Sequence, residues 1–366
     1  MGILNQVFPE SLYITVKIDD ILFPNITSAK MQHGVNAARS FSCSFVGKEA
    51  LEHCRLGAKV EVNWGRGNLE NLVDDKKFIG IVKSLKPGNT FSSFTALDYT
   101  THLAESQYVN YKAQDYIGQD LYFAAADACN YKGIDISRLT RGSGIFITKD
   151  MDLFGWKTRK EFIDACFDEM KVLVNDDRHP TNTINQWQYA IRNGKVMDFF
   201  LPDPDNNLIY PAVTLSESNK NIVDENVVSQ IDTSRIVNAI TIVSSADDKI
   251  YAQLEDFGSQ DRYGVIGKFM THPSSSKAEL ENAAYLLVNR FKEPTISYVV
   301  SLANQDNLDL GDLLEIDLPS LPKNVIKTIV NYEITFGDSI ATRYQIGQTK
   351  TSFEEYLEIL KKPTDR

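Results

Sequence analysis

The sequence predicts an α+β protein that is predominantly β, with two similar antiparallel β-barrels separated by an inserted α+β domain. Three observations support this prediction. Short alternating strands punctuated by turn residues fill both ends of the chain. The middle has the apolar spacing of helices. A strand pattern near residue 57 recurs near residue 311, which indicates two related β-structures.

Residues 1–104 are expected to form the first barrel. In residues 41–45, large apolar side chains alternate with small polar ones. This period of two places every second side chain on the same face of a strand. Further short strands are expected at residues 13–18, 60–62, 78–82 and 91–97, separated by clusters rich in Gly, Asn and Asp. Many short strands with turn residues between them are typical of a barrel or a sandwich.

Residues 105–215 predict the inserted α+β domain. Helical spacing is found in residues 115–130 and 158–170, and Thr158 with Glu161 predicts a capping box at the start of the second helix. The dipeptide Asn193-Gly194 lies between two apolar runs. Because both residues tolerate positive φ, this pattern predicts a β-hairpin.

The remainder of the chain returns to strands around one long helix. Residues 277–291 have helical spacing, and Pro294 is expected to end that helix because proline disfavours helical geometry in the residue before it. Strands are expected at residues 235–243 and between 296 and 346. A terminal helix is expected at residues 352–361.

The sequence contains an internal repeat: two segments match when residue 57 is aligned with residue 311. Each has Leu-Gly, two residues, an apolar residue, Glu and another apolar residue, so that Gly57 and Glu61 correspond to Gly311 and Glu315. Glycine permits a tight entry to the strand, and the glutamates are expected to point outward or into a lumen. Two interpretations remain open: a duplicated barrel, or coincidence between two ordinary hairpins. Three copies of a duplicated chain would form a nearly sixfold ring.

Charge and cysteine content narrow the class of protein. The formal net charge is −11, which argues against nucleic-acid binding because neutralising phosphates requires an excess of Lys and Arg. The same charge is also common in proteins that are simply soluble. Four cysteines, at positions 43, 54, 129 and 166, lack metal-site spacing and predict reduced thiols. No apolar run approaches the ~20 residues that a membrane-spanning helix needs.

Motifs for catalysis or metal binding are weak, so no catalytic residue, cofactor or metal is expected. Ser274 and Lys277 fit a Ser-x-x-Lys pattern but lack its companion motifs. Residues 203–207 begin like a calcium loop but lack its glycine and final glutamate. Asp176-Asp177 are adjacent and favour a solvated loop over a glycosidase pair. The tyrosines between residues 108 and 131 could bind sugar, although core packing is favoured.

The second half of the chain contains an ordered series of motifs. The first motif is residues 229–243, in which a strand that contains Asn238 follows Asp-Thr-Ser at 232–234. The second is residues 256–264, which end in Tyr263-Gly264. The helix at 277–291 and Leu-Gly-Asp at 310–312 follow in order. This series resembles the baseplate hub family of contractile and long-tailed phages and related injection machines.

The resemblance implies a homotrimer with two tube-like barrels per chain, an insertion and a small split domain. The second barrel would comprise residues 216–245 and 295–350, and the small domain residues 246–294 and 351–366. The implied partners are the tail tube or distal tail protein on one face, a trimeric spike on the other, and other baseplate proteins. The implied location is the virion tail baseplate, assembled in the cytoplasm of a bacterial host. Specific nucleic-acid binding and stable membrane insertion are not expected, because of the net charge and the short apolar runs.

The sequence therefore predicts a non-enzymatic baseplate hub that joins a sixfold tail tube to a threefold spike and forms part of a conduit. Two alternatives from other classes stay open. One is a tail-associated cell-wall hydrolase, and the other is a glycan- or receptor-binding tail protein that uses the insertion.

Overall fold

The protein is described by a computed structural model, whose chain divides into two compact units. The first unit comprises residues 1–170, 187–227 and 299–346, and the second comprises residues 171–186, 228–298 and 347–366. The structure describes residues 12–23, 26–47, 54–66, 77–108, 114–155, 157–170, 172–174, 183–185, 187–192, 194–200, 213–216, 226–274, 276–303, 308–319, 321, 325–337 and 340–347.

Strands dominate the described residues before position 99 and from position 213 onward, as predicted. The strands of the amino-terminal part are β1 (Leu12–Ile18), β2 (Ile21–Phe23), β3 (Ile26–Gly34), β4 (Ser40–Val46), β5 (Lys59–Arg66), β6 (Phe78–Lys86) and β7 (Phe91–Asp98). The strands that follow the insertion are β14 (Val213–Ser216), β15 (Val227–Asp232), β16 (Ala239–Ser244), β17 (Tyr251–Glu255), β18 (Gly267–His272), β19 (Thr295–Ala303), β20 (Leu313–Asp317), β21 (Val325–Phe336) and β22 (Ile340–Ile346).

Helices and short hairpins make up the middle. They are α1 (Thr100–Glu105), β8 (Gln107–Tyr108), α2 (Leu121–Cys129), β9 (Lys157–Thr158), α3 (Arg159–Glu169), β10 (Val172–Val174), β11 (Thr183–Asn185), β12 (Gln188–Arg192) and β13 (Val196–Phe200). Two further helices, α4 (Phe257–Tyr263) and α5 (Lys277–Phe291), lie in the second unit. The predicted class, a predominantly β protein of the α+β type, is confirmed.

The main sheet of the first unit has two halves with the same strand order. The first half runs β4-β7-β6-β5-β1, and the second runs β19-β22-β21-β20-β14. In both halves, adjacent strands whose register is defined run antiparallel. The exception is the pair β14 and β20, which run parallel. An antiparallel pairing of β3 with β21 joins the halves into one sheet. Among the described strands this pairing path is open, with β2 at one end, and no closed barrel is formed.

The alternation in β4 explains how the sheet buries one face. Phe41, Cys43 and Phe45 are buried, whereas Ser42 and Ser44 lie on the opposite face and are partly exposed. Because successive side chains of a strand point to opposite faces, this sequence can bury only one of the two. Phe94 of β7 contacts both Phe41 and Phe45 through its ring. Burial of such rings contributes roughly 1.5–3 kcal/mol each.

The insertion packs around its two helices. Thr158 and Glu161 form the predicted capping box: the Glu161 amide donates to Thr158 Oγ1 at 3.2 Å, and the Thr158 amide donates to Glu161 Oε2 at 2.6 Å. The predicted hairpin is confirmed as β12 paired with β13. Tyr116 and Tyr122 are buried in the core of this region, which confirms the packing interpretation for these two tyrosines.

The second unit contains a three-stranded sheet in the order β17-β16-β18, covered on one face by α5. Leu280, Leu287 and Phe291 of α5 pack in the same core as Ile240 and Ile242 of β16. The helix spans residues 277–291 as predicted, and its apolar residues recur at helical spacing on the buried side.

Two elements differ from the sequence predictions, and a third cannot be compared with the structure. Residues 239–244, expected in the second barrel, pair instead with β17 and β18, because α5 offers their apolar face a core. The helix expected at 115–130 is the shorter α2, which begins where Asp120 caps the Tyr122 amide at 2.8 Å. The expected terminal helix at 352–361 lies outside the described residues.

Candidate functional site

Gly57 and Gly311 occupy equivalent turns, one in each half of the main sheet. Their φ angles are +84° and +82°, a region that residues with a Cβ rarely adopt. The Gly57 amide donates to the Val82 carbonyl at 2.9 Å, and the Gly311 amide donates to the Ile329 carbonyl at 2.9 Å. Two further backbone hydrogen bonds match. In the first turn the Val82 amide donates to the Ala58 carbonyl and the Ala58 amide to the Arg55 carbonyl. In the second turn the Ile329 amide donates to the Asp312 carbonyl and the Asp312 amide to the Asp309 carbonyl. The internal repeat of the sequence therefore corresponds to a repeated local structure.

The strands that follow these turns share their register. Glu61 lies opposite Ile79 in the first half, and Glu315 lies opposite Ile326 in the second. The register then shifts at the same place in each half, between Val82 and Ser84 in β6 and between Ile329 and Asn331 in β21. Strand order, register and bulge agree together, which coincidence between two ordinary hairpins does not explain.

The two glutamates of the internal repeat, Glu61 and Glu315, have different surroundings. Glu61 is 4% exposed, and its carboxylate pairs with the Lys59 ammonium at 2.5 Å. Glu61 is thus buried against its neighbours within the chain, and its orientation towards a lumen stays a prediction. Glu315 is half-buried and accepts a hydrogen bond from Thr214 Oγ1 at 2.9 Å.

Asn238 is the centre of a polar cluster in the second unit. It precedes β16 rather than lying within a strand, and it is fully buried. Its side-chain amide donates to the Gly264 carbonyl at 2.7 Å and to Ser259 Oγ at 3.2 Å, and its Oδ1 accepts from the Ile266 amide at 2.7 Å. The asparagine side chain thus holds α4 at Ser259 and holds the residues that follow the end of α4.

Ser259, Tyr263 and Gly264, which share the segment 256–264, make up the other side of this cluster. Ser259 Oγ donates to the Lys292 carbonyl at 2.5 Å, which ties α4 to the end of α5. Tyr263 Oη donates to the Glu293 carboxylate at 3.2 Å. Gly264 ends α4 with φ of +78°, where a Cβ would be strained. The structure thus brings Asn238, Tyr263 and Gly264 together as a folding motif.

Replacing Asn238 by Ala is expected to loosen the α4 segment. The change removes three side-chain hydrogen bonds and leaves buried polar groups unpaired, at a cost of about 3 kcal/mol. Amide hydrogen exchange in residues 256–267 should accelerate roughly 100-fold. Asn282→Ala, an exposed Asn-to-Ala change on α5, is the matched control and should leave exchange unchanged. Equal exchange in both variants would contradict the role of Asn238.

A network of buried charges lies where the two halves of the main sheet meet. Arg39 is 2% exposed, and its backbone amide donates to Asp98 Oδ2 at 3.0 Å. Asp98 is fully buried and also accepts from the Thr100 amide at 3.0 Å. Burial raises the pKa of Asp98, although the charges of His33 and Arg39 act in the opposite direction. The Arg39 guanidinium and the Asp98 carboxylate interact through their charges, and removing one of the two charges is costly because the other would remain buried without compensation.

The second half contributes Asp309 to the same network. Its carboxylate lies 3.6 Å from Nδ1 of His33, whose ring is fully buried and packs edge-on against Tyr332. Burial acts to raise the pKa of Asp309, but His33, Arg39 and Arg192 outweigh it and hold the pKa at about 2. The ionised carboxylate is therefore part of the folded state.

The Asp309 carboxylate should make stability depend on pH. A depressed pKa contributes stability above the unfolded value near 3.9, and this contribution disappears as the pH falls through about 2. Asp309→Asn should cost about 2 kcal/mol at pH 7 and about half as much at pH 3. Urea unfolding at both pH values, followed by tryptophan fluorescence, measures the difference. The exposed Asp317→Asn is the control, and a penalty for Asp309→Asn that does not change with pH would contradict the assignment.

The insertion hairpin joins this network through Arg192. Its guanidinium donates to the Leu310 carbonyl and pairs with Asp312 at 3.2 Å and with Asp198 at 3.3 Å. Its carbon lies 5.3 Å from the centre of the Phe200 ring. Burial raises the pKa of Asp312, and the charge of Arg192 opposes that shift. The second turn is thus covered by the hairpin.

The sequence prediction missed this network. A signal existed, because Asp98 falls in register with the buried Phe94 and Ala96 of β7, and His33 with the buried Met31 of β3. A charged residue at a buried position of an alternating strand indicates a partner. The partners Asp309 and Arg39 are distant in sequence, so only the fold identifies them.

Candidate sites for other chemistry are few in the structure. Among the described residues, no group of three or more His, Cys, Asp or Glu side chains is placed to hold a metal ion, and no helix is long and apolar enough to cross a membrane. Cys43, Cys54, Cys129 and Cys166 are unpaired and buried, and burial raises the pKa of the Cys43 thiol to about 12. Asp176-Asp177 and residues 203–207 lie outside the described part of the chain.

Comparison with solved structures identifies the class of fold. A tail protein from Neisseria meningitidis MC58 matches with a TM-score of 0.61 and 12% identity, over 94% of this chain and 99% of that one. The 43 kDa tail protein of prophage MuSo2 from Shewanella oneidensis matches with a TM-score of 0.57 and 11% identity, over 91% and 97%. Prophage tail protein gp18 from Listeria monocytogenes EGD-e matches with a TM-score of 0.50 and 12% identity, over 95% and 99%.

The chain has the fold of phage and prophage tail proteins. The resemblance that the motifs of the second half indicated is confirmed as far as the fold of tail proteins. No model of a protein family matches the sequence, and neither does any curated protein.

Proposed function

We propose that this protein is a structural, non-enzymatic hub of a phage-like tail baseplate and that it acts as a homotrimer. The observation that supports the proposal is the internal repeat within a tail-protein fold: equivalent turns at Gly57 and Gly311, with the same strand order and register around each. Three identical chains then present six similar halves.

Such a ring adapts one symmetry to another. Six similar halves complement a sixfold tail tube, while the threefold symmetry of the chains complements a trimeric spike. In this proposal each half is the counterpart of one tube-like barrel, the tube or distal tail protein binds one face, and the spike binds the other. The central opening serves as a conduit for DNA or effector. The solved structures that support the fold are themselves named tail proteins.

Light scattering on the purified protein tests the oligomer. The expected mass is three times the 41.2 kDa of one chain, and electron micrographs should show a ring with threefold symmetry. A stable dimer would contradict the hub, because a twofold assembly does not match a threefold spike.

Peptidoglycan zymography separates the hub from a cell-wall hydrolase. The hub should produce no clearing at protein amounts at which a lysozyme control clears. Clearing that disappears in Asp176→Asn would replace the structural proposal with an enzymatic one.

A further inference from the structure

The two repeated turns differ in what covers them. We propose that a second copy of this chain docks on the first half, at the turn of residues 55–58 and the adjoining free edge of β6. The docking would repeat the junction that β3 and the insertion hairpin make with the second half inside one chain. This inference rests on the proposed homotrimer and specifies which surface of the first half forms its interface.

The junction inside one chain shows what such a docking looks like. At the second turn, the Arg192 guanidinium donates to the Leu310 carbonyl, and Leu310 is fully buried. A Cβ placed on Gly311 would lie 2.5 Å from Arg192 Nη2 and 2.8 Å from a carbon of the Phe200 ring. The hairpin formed by β12 and β13 therefore covers the second turn closely.

The same junction continues along β21. Beyond its bulge, β21 pairs with β22 on one side and with β3 on the other. The Val35 amide then donates to the Val330 carbonyl at 3.2 Å. Asn36 continues onto the hairpin, since its amide donates to the Tyr189 carbonyl at 3.0 Å and its Oδ1 accepts from the Tyr189 amide at 2.9 Å. Strand, loop and hairpin form one continuous junction.

The equivalent turn of the first half is open. Leu56, which corresponds to the buried Leu310, is 65% exposed. No described residue lies within 4 Å of the position that a Cβ on Gly57 would take. A single exposed leucine is common on protein surfaces, so the support for the docking lies in the contrast between two equivalent turns, of which one is covered and the other is exposed.

The equivalent strand edge is open as well. Beyond its bulge, β6 pairs with β7 through Ser84, Leu85 and Lys86. Within the described part of the sheet, the pairing of β6 with β5 stops at Ile81, and no other strand occupies that side of residues 84–86. Unpaired strand edges recruit further strands. Both components of the junction are therefore missing on the first half.

Symmetry favours a second copy as the occupant. In a ring, first and second halves alternate, and each half has a neighbour on both sides. One of these contacts joins the two halves of the same chain. The other joins the second half of one chain to the first half of the next chain. Arg55, whose side chain is 81% exposed and pairs with Asp19 at 3.3 Å, stands where the second half has Asp309. An arginine that occupies the place of Arg192 would meet a positive charge here and not a carboxylate, so the partner's contact at this turn differs from the Arg192 contact within the chain.

Photo-crosslinking of the full-length protein tests the contact. A benzophenone amino acid at position 56 should link two chains, with the linked peptide in the second half of the partner copy. The same group at position 310 is the matched control and should link only within a chain, to the β12–β13 hairpin.

A charge substitution provides the second test. Leu56→Asp should fold normally, because the side chain is exposed, and should weaken association at least tenfold in light scattering. Phe146→Asp, at a site that is 57% exposed in the insertion, is the matched control and should leave association unchanged.

The outcomes separate this inference from the proposed function. A trimer that gives no interchain link at position 56 and is unaffected by Leu56→Asp overturns the inference and leaves the hub standing. If the purified protein stays monomeric at every concentration, both the proposed homotrimer and the proposed interface are contradicted. Interchain links at 56 within a dimer retain the interface but contradict the hub.

Discussion

Leu314→Arg should abolish folding of the first unit. Leu314 is fully buried in β20, between β14 on one side and β21 on the other. An arginine there would bury a charge without a partner, at a cost of about 5 kcal/mol or more. Because whole domains are stable by only about 5–15 kcal/mol, we expect insoluble protein or a collapsed, unfolded chain.

Expression and tryptophan fluorescence measure this outcome, since all three tryptophans lie in the sequence ranges of the first unit. Asp317→Arg, at an exposed position of the same strand, is the matched control and should fold. Soluble trimers of Leu314→Arg would show that the side chain does not face the core.

Arg39→Met should have the second-largest effect. The substitution removes a buried guanidinium and leaves the Asp98 and Asp309 carboxylates without its charge. Loss of one partner from a buried charge network costs about 3–5 kcal/mol. The midpoint of urea unfolding should fall accordingly, while exchange in the second unit stays unchanged.

A double variant shows whether the loss comes from the unpaired charge. Arg39→Met with Asp98→Asn removes both charges and should recover at least half of the lost stability. If the double variant loses the sum of the two single losses, the side chains contribute independently and the network interpretation is incorrect.

Local structure was largely predictable from the sequence. The capping box of Thr158 and Glu161, the hairpin around Gly194 and the helix at 277–291 depend on residues within a few positions of one another. Their stabilising contacts are short-range, so the pattern of residue types contains the needed information.

The partition of strands between sheets was less predictable. Residues 239–244 alternate like a strand of either sheet, and only the apolar face of α5 determines where they lie. The pairing of β3 with β21 joins residues about 300 positions apart, as in the hydrogen bond between Gln32 and Glu333. Alternation records which face is buried, but it does not record which strand is the neighbour.

The sequence by itself determined the β-rich class, the main local elements and the correspondence of Gly57 with Gly311, because each is written in residue type and spacing. Only the tertiary structure decided that Leu310 is covered while Leu56 is exposed, and that Arg39 and Asp98 share a buried network with Asp309. Burial and charge pairing depend on which distant segments meet, and that information belongs to the folded chain as a whole.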